Sequence, residues 1–253
     1  TGILSMKILE LKNIHKAFGE KKIHQGVNLY LEQGETIALL GHSGTGKSVL
    51  LRSIIGLEQI DQGEIYFRHQ RIDQLDEEAY YPIRTKISYS FQNAALFDSL
   101  SVFENIAYPL FEHTKLNEAQ INQKVEDVLK IVNMSQAKFL MPSDLSGGMQ
   151  KRVGLARSMI LNPEILLYDE PTAGLDPVNT DMVIDIMNEF KARGFSGIFV
   201  THDIPAAKRV CDRFLLLRDG KIYFNGTLEE FNHSNDPFVL TFGSTHRSRH
   251  DVP

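Results

Sequence analysis

The chain has 253 residues, 42% hydrophobic and 23% charged, with a formal net charge of −5. That composition suits one large globular domain or two intimate lobes, and the acidic balance argues against a nucleic-acid partner, whose phosphates usually select a basic surface. A single cysteine, Cys211, allows no internal disulfide and fits a reducing compartment; no run approaches the roughly 20 apolar residues that span a bilayer and no signal peptide opens the chain, so membrane contact is expected to come through a partner.

Residues 1–5 read as an expression remnant ahead of a native start at Met6. In chain order, 8–11, 26–31 and 36–40 read as strands, punctuated by Gly19, Gly34 and Gly41. A helix is expected from Lys47 to about Ile55, stopped by Gly56. Strands follow at 63–67 and 87–91. From about 93 to 161 the pattern turns helical, and 117–134 carries Ile121, Val125, Val128, Leu129 and Val132 at the helical period. The apolar runs 165–168 and 197–201 flank a helix over 178–193, an alternation that predicts a parallel sheet covered on both faces. A closing hairpin is expected from 214–217 and 221–224, split by Arg218-Asp219-Gly220. The stretch 233–253 is polar and aperiodic, so a solvated tail is the default expectation.

Three motifs carry chemistry. Gly41-His42-Ser43-Gly44-Thr45-Gly46-Lys47-Ser48 matches the phosphate-binding pattern GxxxxGK[ST] and sits between a strand and a helix, as that loop requires. Its glycines let consecutive N–H groups point at phosphate oxygens, and the helix N-terminus favours negative charge. Lys47 would neutralise the β/γ oxygens and Ser48 would ligate Mg²⁺. The second motif, 165–170, is an apolar strand ending in Asp169 and Glu170, placed to hold Mg²⁺ and to orient an attacking water. The third, Leu145-Ser146-Gly147-Gly148-Met149-Gln150, opens a further helix and offers a second anion cradle. One phosphate tail needs one cradle, so a second suggests sharing between two chains.

In this order the three motifs resemble the nucleotide-binding subunit of ABC transporters over about residues 6–230. The resemblance implies an α/β P-loop NTPase of ABC type: a RecA-like core with an antiparallel β subdomain (6–92 and 162–230), a helical subdomain (93–161) and a C-terminal extension (231–253). It implies an ATPase using ATP and Mg²⁺, in which Ser146, Gly147 and Gly148 complete the site of a second copy. Phe18 then corresponds to the aromatic residue that stacks on adenine. Gln92 reaches Mg²⁺ and senses the permease, Asp176 links the two sites, and His202 contacts the γ-phosphate. Two positions depart from the family pattern: Val49 stands where Thr is usual, keeping only its backbone N–H for the α-phosphate, and Gly174 stands where a larger residue is common.

Within the family, residues 91–110, Glu112-His113-Thr114-Lys115-Leu116, and Met149 followed by Lys151-Arg152 resemble the ATPases of Mla phospholipid-trafficking systems. That likeness implies phospholipid transport across the bacterial cell envelope, in service of outer-membrane lipid asymmetry. It implies a peripheral location on the cytoplasmic face of the inner membrane, with permease subunits, an Mce-type substrate-binding protein and a small accessory protein as partners. A small-solute importer ATPase is the alternative. A DNA-repair ATPase is disfavoured, because no heptad coiled coil or Cys-rich zinc insert separates Lys47 from Ser146. Leu96, Phe97, Val102 and Phe103 offer either an apolar groove for a permease helix or simple core packing. In the tail, Phe238, Leu240 and Phe242 are expected to act as anchors while His246, Arg247, Arg249 and His250 meet acidic surface on a partner copy. Removing 236–253 is accordingly expected to weaken assembly and leave ATP binding by the isolated subunit unchanged.

Overall fold

Two twelve-residue strands, β1 (Lys7–Phe18) and β2 (Lys21–Glu32), pair antiparallel and begin the fold. Both outrun the expected strands because bulges interrupt their alternation; Asn13, at φ 52, marks one of them. The computed structural model describes residues 6–243. β1 also pairs with β4 (Gln62–Phe67), which carries the short β5 (Gln70–Arg71), giving a four-stranded sheet in the order β2-β1-β4-β5. The second sheet is built from β3 (Thr36–Leu40), β6 (Ile87–Ser90), β7 (Ile165–Asp169), β8 (Ser196–Val200), β9 (Arg213–Arg218) and β10 (Lys221–Thr227). Its order is β10-β9-β3-β8-β7-β6, parallel except for the hairpin partner β10.

Every residue of β3, β7 and β8 is buried, as expected of parallel strands covered on both faces. Their alternation splits the interior in two. Ile37, Leu39, Leu167 and Val200 face a core shared with the four-stranded sheet and with α1 (Lys47–Ile54). Ala38, Leu40, Leu166 and Phe199 face the helical side. There α3 (Val102–His113), α4 (Glu118–Ile131) and α5 (Gly147–Met159), all within 93–161, share one hydrophobic core with α6 (Pro177–Ala192) and the sheet. Capping boxes start α3 at Ser101/Glu104 and α4 at Asn117/Gln120. α4 stops short of the expected 134 because Asn133 takes a left-handed conformation, φ 53.

Four helices were not expected: α2 (Glu77–Arg84), α7 (Ile204–Val210), α8 (Leu228–Asn232) and α9 (Pro237–Gly243). The last corrects the solvated tail. Phe242, 8% exposed, and Phe238, packed on the same core, sit as expected of anchors, whereas Leu240, the third expected anchor, is 44% exposed and Val239, at 1%, is the buried residue beside it. The basic cluster His246, Arg247, Arg249 and His250 lies outside the described residues. No described helix is long and apolar enough to cross a membrane.

Candidate active site

The loop 41–46 leaves the buried end of β3 and turns directly into α1. Gly46 makes that turn at φ 97, where a Cβ would stand 2.4 Å from Ile23 Cγ2 and 2.9 Å from His24 Nε2. Only glycine lets the loop close this tightly on β2. His24 is buried, and its Nε2–H donates to the Gly46 carbonyl at 3.1 Å. Burial lowers the His24 pKa below its ordinary value, the Gly46 bond opposing it.

Lys47, the first residue of α1, folds back so that Nζ donates to the carbonyls of Gly41 (2.7 Å) and His42 (3.1 Å). Thr45 Oγ1 donates to the same His42 carbonyl at 2.9 Å. Burial pulls the Lys47 pKa down, while Glu170 and Asp169 pull it back up. Ser48 Oγ donates to Asp169 Oδ1 at 2.8 Å, joining the loop to the end of β7. Glu170 follows at φ 51, a left-handed residue that swings its side chain out of strand direction and over the loop. Its Oε2, a buried oxygen, lies 3.0 Å from His202 Nδ1 just beyond β8.

These groups surround a cavity of about 740 Å³. Of the residues expected in the site, Gly41, Ser43, Gly44, Gly46, Lys47, Ser48 and Val49 line it from the loop side. Gln92, Glu170 and His202 line it from the ends of three other strands. Asp169 is reached through Ser48, and Thr45 braces the loop from behind.

Two expected parts stand apart. Phe18, at the tip of the β1–β2 hairpin, is 47% exposed and lies outside the lining, with Lys16 Nζ 4.8 Å above its ring. Ser146 caps α5, accepting from the Met149 N–H at 3.3 Å, and also lies outside the lining with Gly147 and Gly148. A Cβ at Gly148 would fall 2.4 Å from Asn179 Oδ1, and Asn179 is tied to Asp176 by a 2.6 Å side-chain bond. The structure therefore sets Asn179, which Asp176 holds, against the start of α5, and Asp176 lies outside the cavity lining.

The sequence reading missed the contribution of α9. Thr241 and Phe242 line the cavity, and the His42 ring packs against Phe242 (centroids 5.0 Å, 44°) and Phe238 (6.0 Å, 68°). The signal was present: Asp236 before Pro237 is a helix-start pair, and its carboxylate accepts the N–H groups of Phe238 and Val239 at 2.8 and 3.1 Å.

A phosphate-binding loop between a buried parallel strand and a helix, facing an aspartate, a glutamate and a histidine, defines a P-loop nucleotide-binding ATPase. The family model described as ABC transporter matches residues 24–173, and the chain belongs to that family. It is 41% identical to the chloroplastic protein TRIGALACTOSYLDIACYLGLYCEROL 3 of Arabidopsis thaliana, over 94% of this chain and 73% of that one. It is 35% identical to the intermembrane phospholipid transport system ATP-binding protein MlaF of Haemophilus influenzae, over 94% of this chain and 91% of that protein. Among solved structures, the dimeric ATP-binding cassette MJ0796 bound to ADP and Pi superposes with a TM-score of 0.81 at 30% identity, covering 87% of this chain and 98% of that one.

Proposed function

We propose that this ATPase powers phospholipid movement across the bacterial cell envelope, working beneath permease subunits on the cytoplasmic face of the inner membrane. The observation that carries the substrate is the 35% identity along 91% of an intermembrane phospholipid transport ATPase. An Mce-type substrate-binding protein and a small accessory protein belong to the same reading, as does a role in outer-membrane lipid asymmetry. A groove of about 350 Å³ supports a permease partner. Of the four residues offered for such a groove, only Phe97 lines it, beside Phe91, Ala95, Tyr108, Pro109 and Leu161. Ser101 caps α3 so that Val102, Ile106 and Leu110 share its buried face, and Leu96 and Phe103 pack on the same core.

The chemistry follows from the cavity. Lys47 and the loop N–H groups hold the β/γ-phosphates of ATP. Ser48, Asp169 and Gln92 would hold Mg²⁺, which takes a few oxygen ligands beside phosphate and neutralises developing charge when bound. The residues fit in their chemistry: Asp169 Oδ1 and Ser48 Oγ are hard oxygen donors brought together at the loop by their 2.8 Å bond. Glu170 polarises a water for in-line attack on the γ-phosphate, with His202 and Gln92 fixing the geometry. Ser146, Gly147 and Gly148 stand outside their own cavity because they serve the cavity of a second copy. ATP thereby bridges two chains, Asp176 lies at the junction, and loss of the γ-phosphate releases it. Phe18 stacks on adenine from the hairpin. The test is co-purification: the permease that comes down with the chain should carry phospholipid, and recovery of a solute-specific permease without lipid would overturn the substrate assignment.

A further inference from the structure

Asp169 is 7% exposed, and both of its carboxylate oxygens are engaged by hydroxyl groups from different elements. Ser48 Oγ on α1 donates to Oδ1 at 2.8 Å, and the Tyr89 hydroxyl on β6 donates to Oδ2 at 2.5 Å. A strand neighbour is not obliged to do this. β6 and β7 are parallel partners with Tyr89 opposite Leu167, so the phenol must lie along the strand to reach a carboxylate two residues further on. The other end of the same side chain faces elsewhere. The Tyr89 ring packs on Phe91 (centroids 4.6 Å, 52°), and both rings line the groove that contains Phe97 and Tyr108, not the nucleotide cavity.

We propose that Tyr89 is a positioning residue for Asp169: its hydroxyl fixes the carboxylate plane, and its ring makes that position answer to the groove. The inference rests on the reading of Asp169 as the carboxylate that holds the metal, and it assigns the residue that orients it. Were Ser48 to ligate Mg²⁺ and phosphate, Tyr89 would still hold the second oxygen of Asp169 through its own bond. The side chain thus spans the distance between the permease-side groove and the hydrolysis site without any loop in between.

The experiment measures binding of a non-hydrolysable ATP analogue to the purified full chain, with Mg²⁺ and with EDTA. Tyr89→Phe keeps the ring and removes the hydroxyl. It should leave the EDTA affinity unchanged and reduce the Mg²⁺-dependent gain by about 10- to 150-fold, the size of one hydrogen bond to a charged group. A loss of affinity equal in both conditions would mean general loosening and overturn the proposal, as would wild-type behaviour. Asp169→Asn in parallel separates the two layers of inference. If it spares the Mg²⁺-dependent gain, the metal reading of Asp169 fails; if it abolishes the gain while Tyr89→Phe does not touch it, only the role of Tyr89 fails. The groove half is read by Phe91→Ala, which removes the ring touching Tyr89. Its effect on the Mg²⁺-dependent gain should shrink in the Tyr89→Phe background, and full additivity would sink the link to the groove.

Discussion

Phe242→Ala is expected to weaken ATP binding by the isolated chain, because α9 docks on the phosphate loop itself. The substitution removes the ring that packs on His42 at 5.0 Å and lines the nucleotide cavity. His42 matters beyond its ring: its carbonyl accepts from Lys47 Nζ and Thr45 Oγ1, so the residue sets the shape of the loop that receives phosphate. An aromatic pair is worth about 0.5–1.5 kcal/mol beyond the area it buries, which corresponds to roughly a two- to twelve-fold rise in Kd. Phe238 offers a second contact at 6.0 Å, so the double variant should approach the upper end of that range. A seven-residue helix can detach while the rest of the fold persists, so Tm should fall far less than for a Phe→Ala change in a closed core. Titration of the full chain with a fluorescent ATP analogue reads the Kd. Hydrogen exchange reads α9, whose amides should become better protected when nucleotide binds, since coupling between two sites is reciprocal. Deleting 236–253 should therefore impair ATP binding as well as assembly, contrary to the expectation from sequence that binding is unchanged. An unchanged Kd in a variant whose α9 amides exchange freely would refute the reasoning.

Three further outcomes are expected. Glu170→Gln should retain MgATP binding and lose about 10²- to 10⁴-fold in kcat, because it removes the water-polarising carboxylate and leaves the loop intact; near wild-type turnover would end that assignment. Phe18→Ala should raise KM for ATP with little change in kcat, since stacking is made equally in ground and transition states, and an unaltered KM would return Phe18 to a hairpin role. His24 is buried, and burial holds its pKa below the ordinary histidine value of 6.5. Below that pH the unfolded chain binds the proton first, so this residue's contribution is complete above about 6.5 and is lost as pH falls towards the lower folded-state value. His24→Gln should flatten Tm against pH in that window, and an unchanged slope would show that other groups govern it.

The phosphate loop was legible in the sequence because its chemistry is local. Gly41 to Ser48 are consecutive, and glycine, lysine and serine at those spacings carry their own reason. The same holds for the apolar run ending in Asp169 and Glu170, and for the signature that Ser146 caps. The alternation of short apolar runs with amphipathic stretches likewise determined the parallel sheet. What sequence could not supply were pairings between residues far apart in the chain, where the partner is chosen by packing. Val102 could serve groove or core until the α3 cap set its rotation, and seven residues are too few to show a period, so the tail's apolar residues could be read as anchors but not placed on the phosphate loop. Tyr89 and Asp169 are 80 positions apart, and only the β6–β7 pairing puts a phenol on that carboxylate. Phe242 stands two hundred residues beyond His42, and the turn from β10 through α8 brings its ring back to the loop. Local motif chemistry determines what the site can bind; side-chain geometry across the sheet decides what holds it in place.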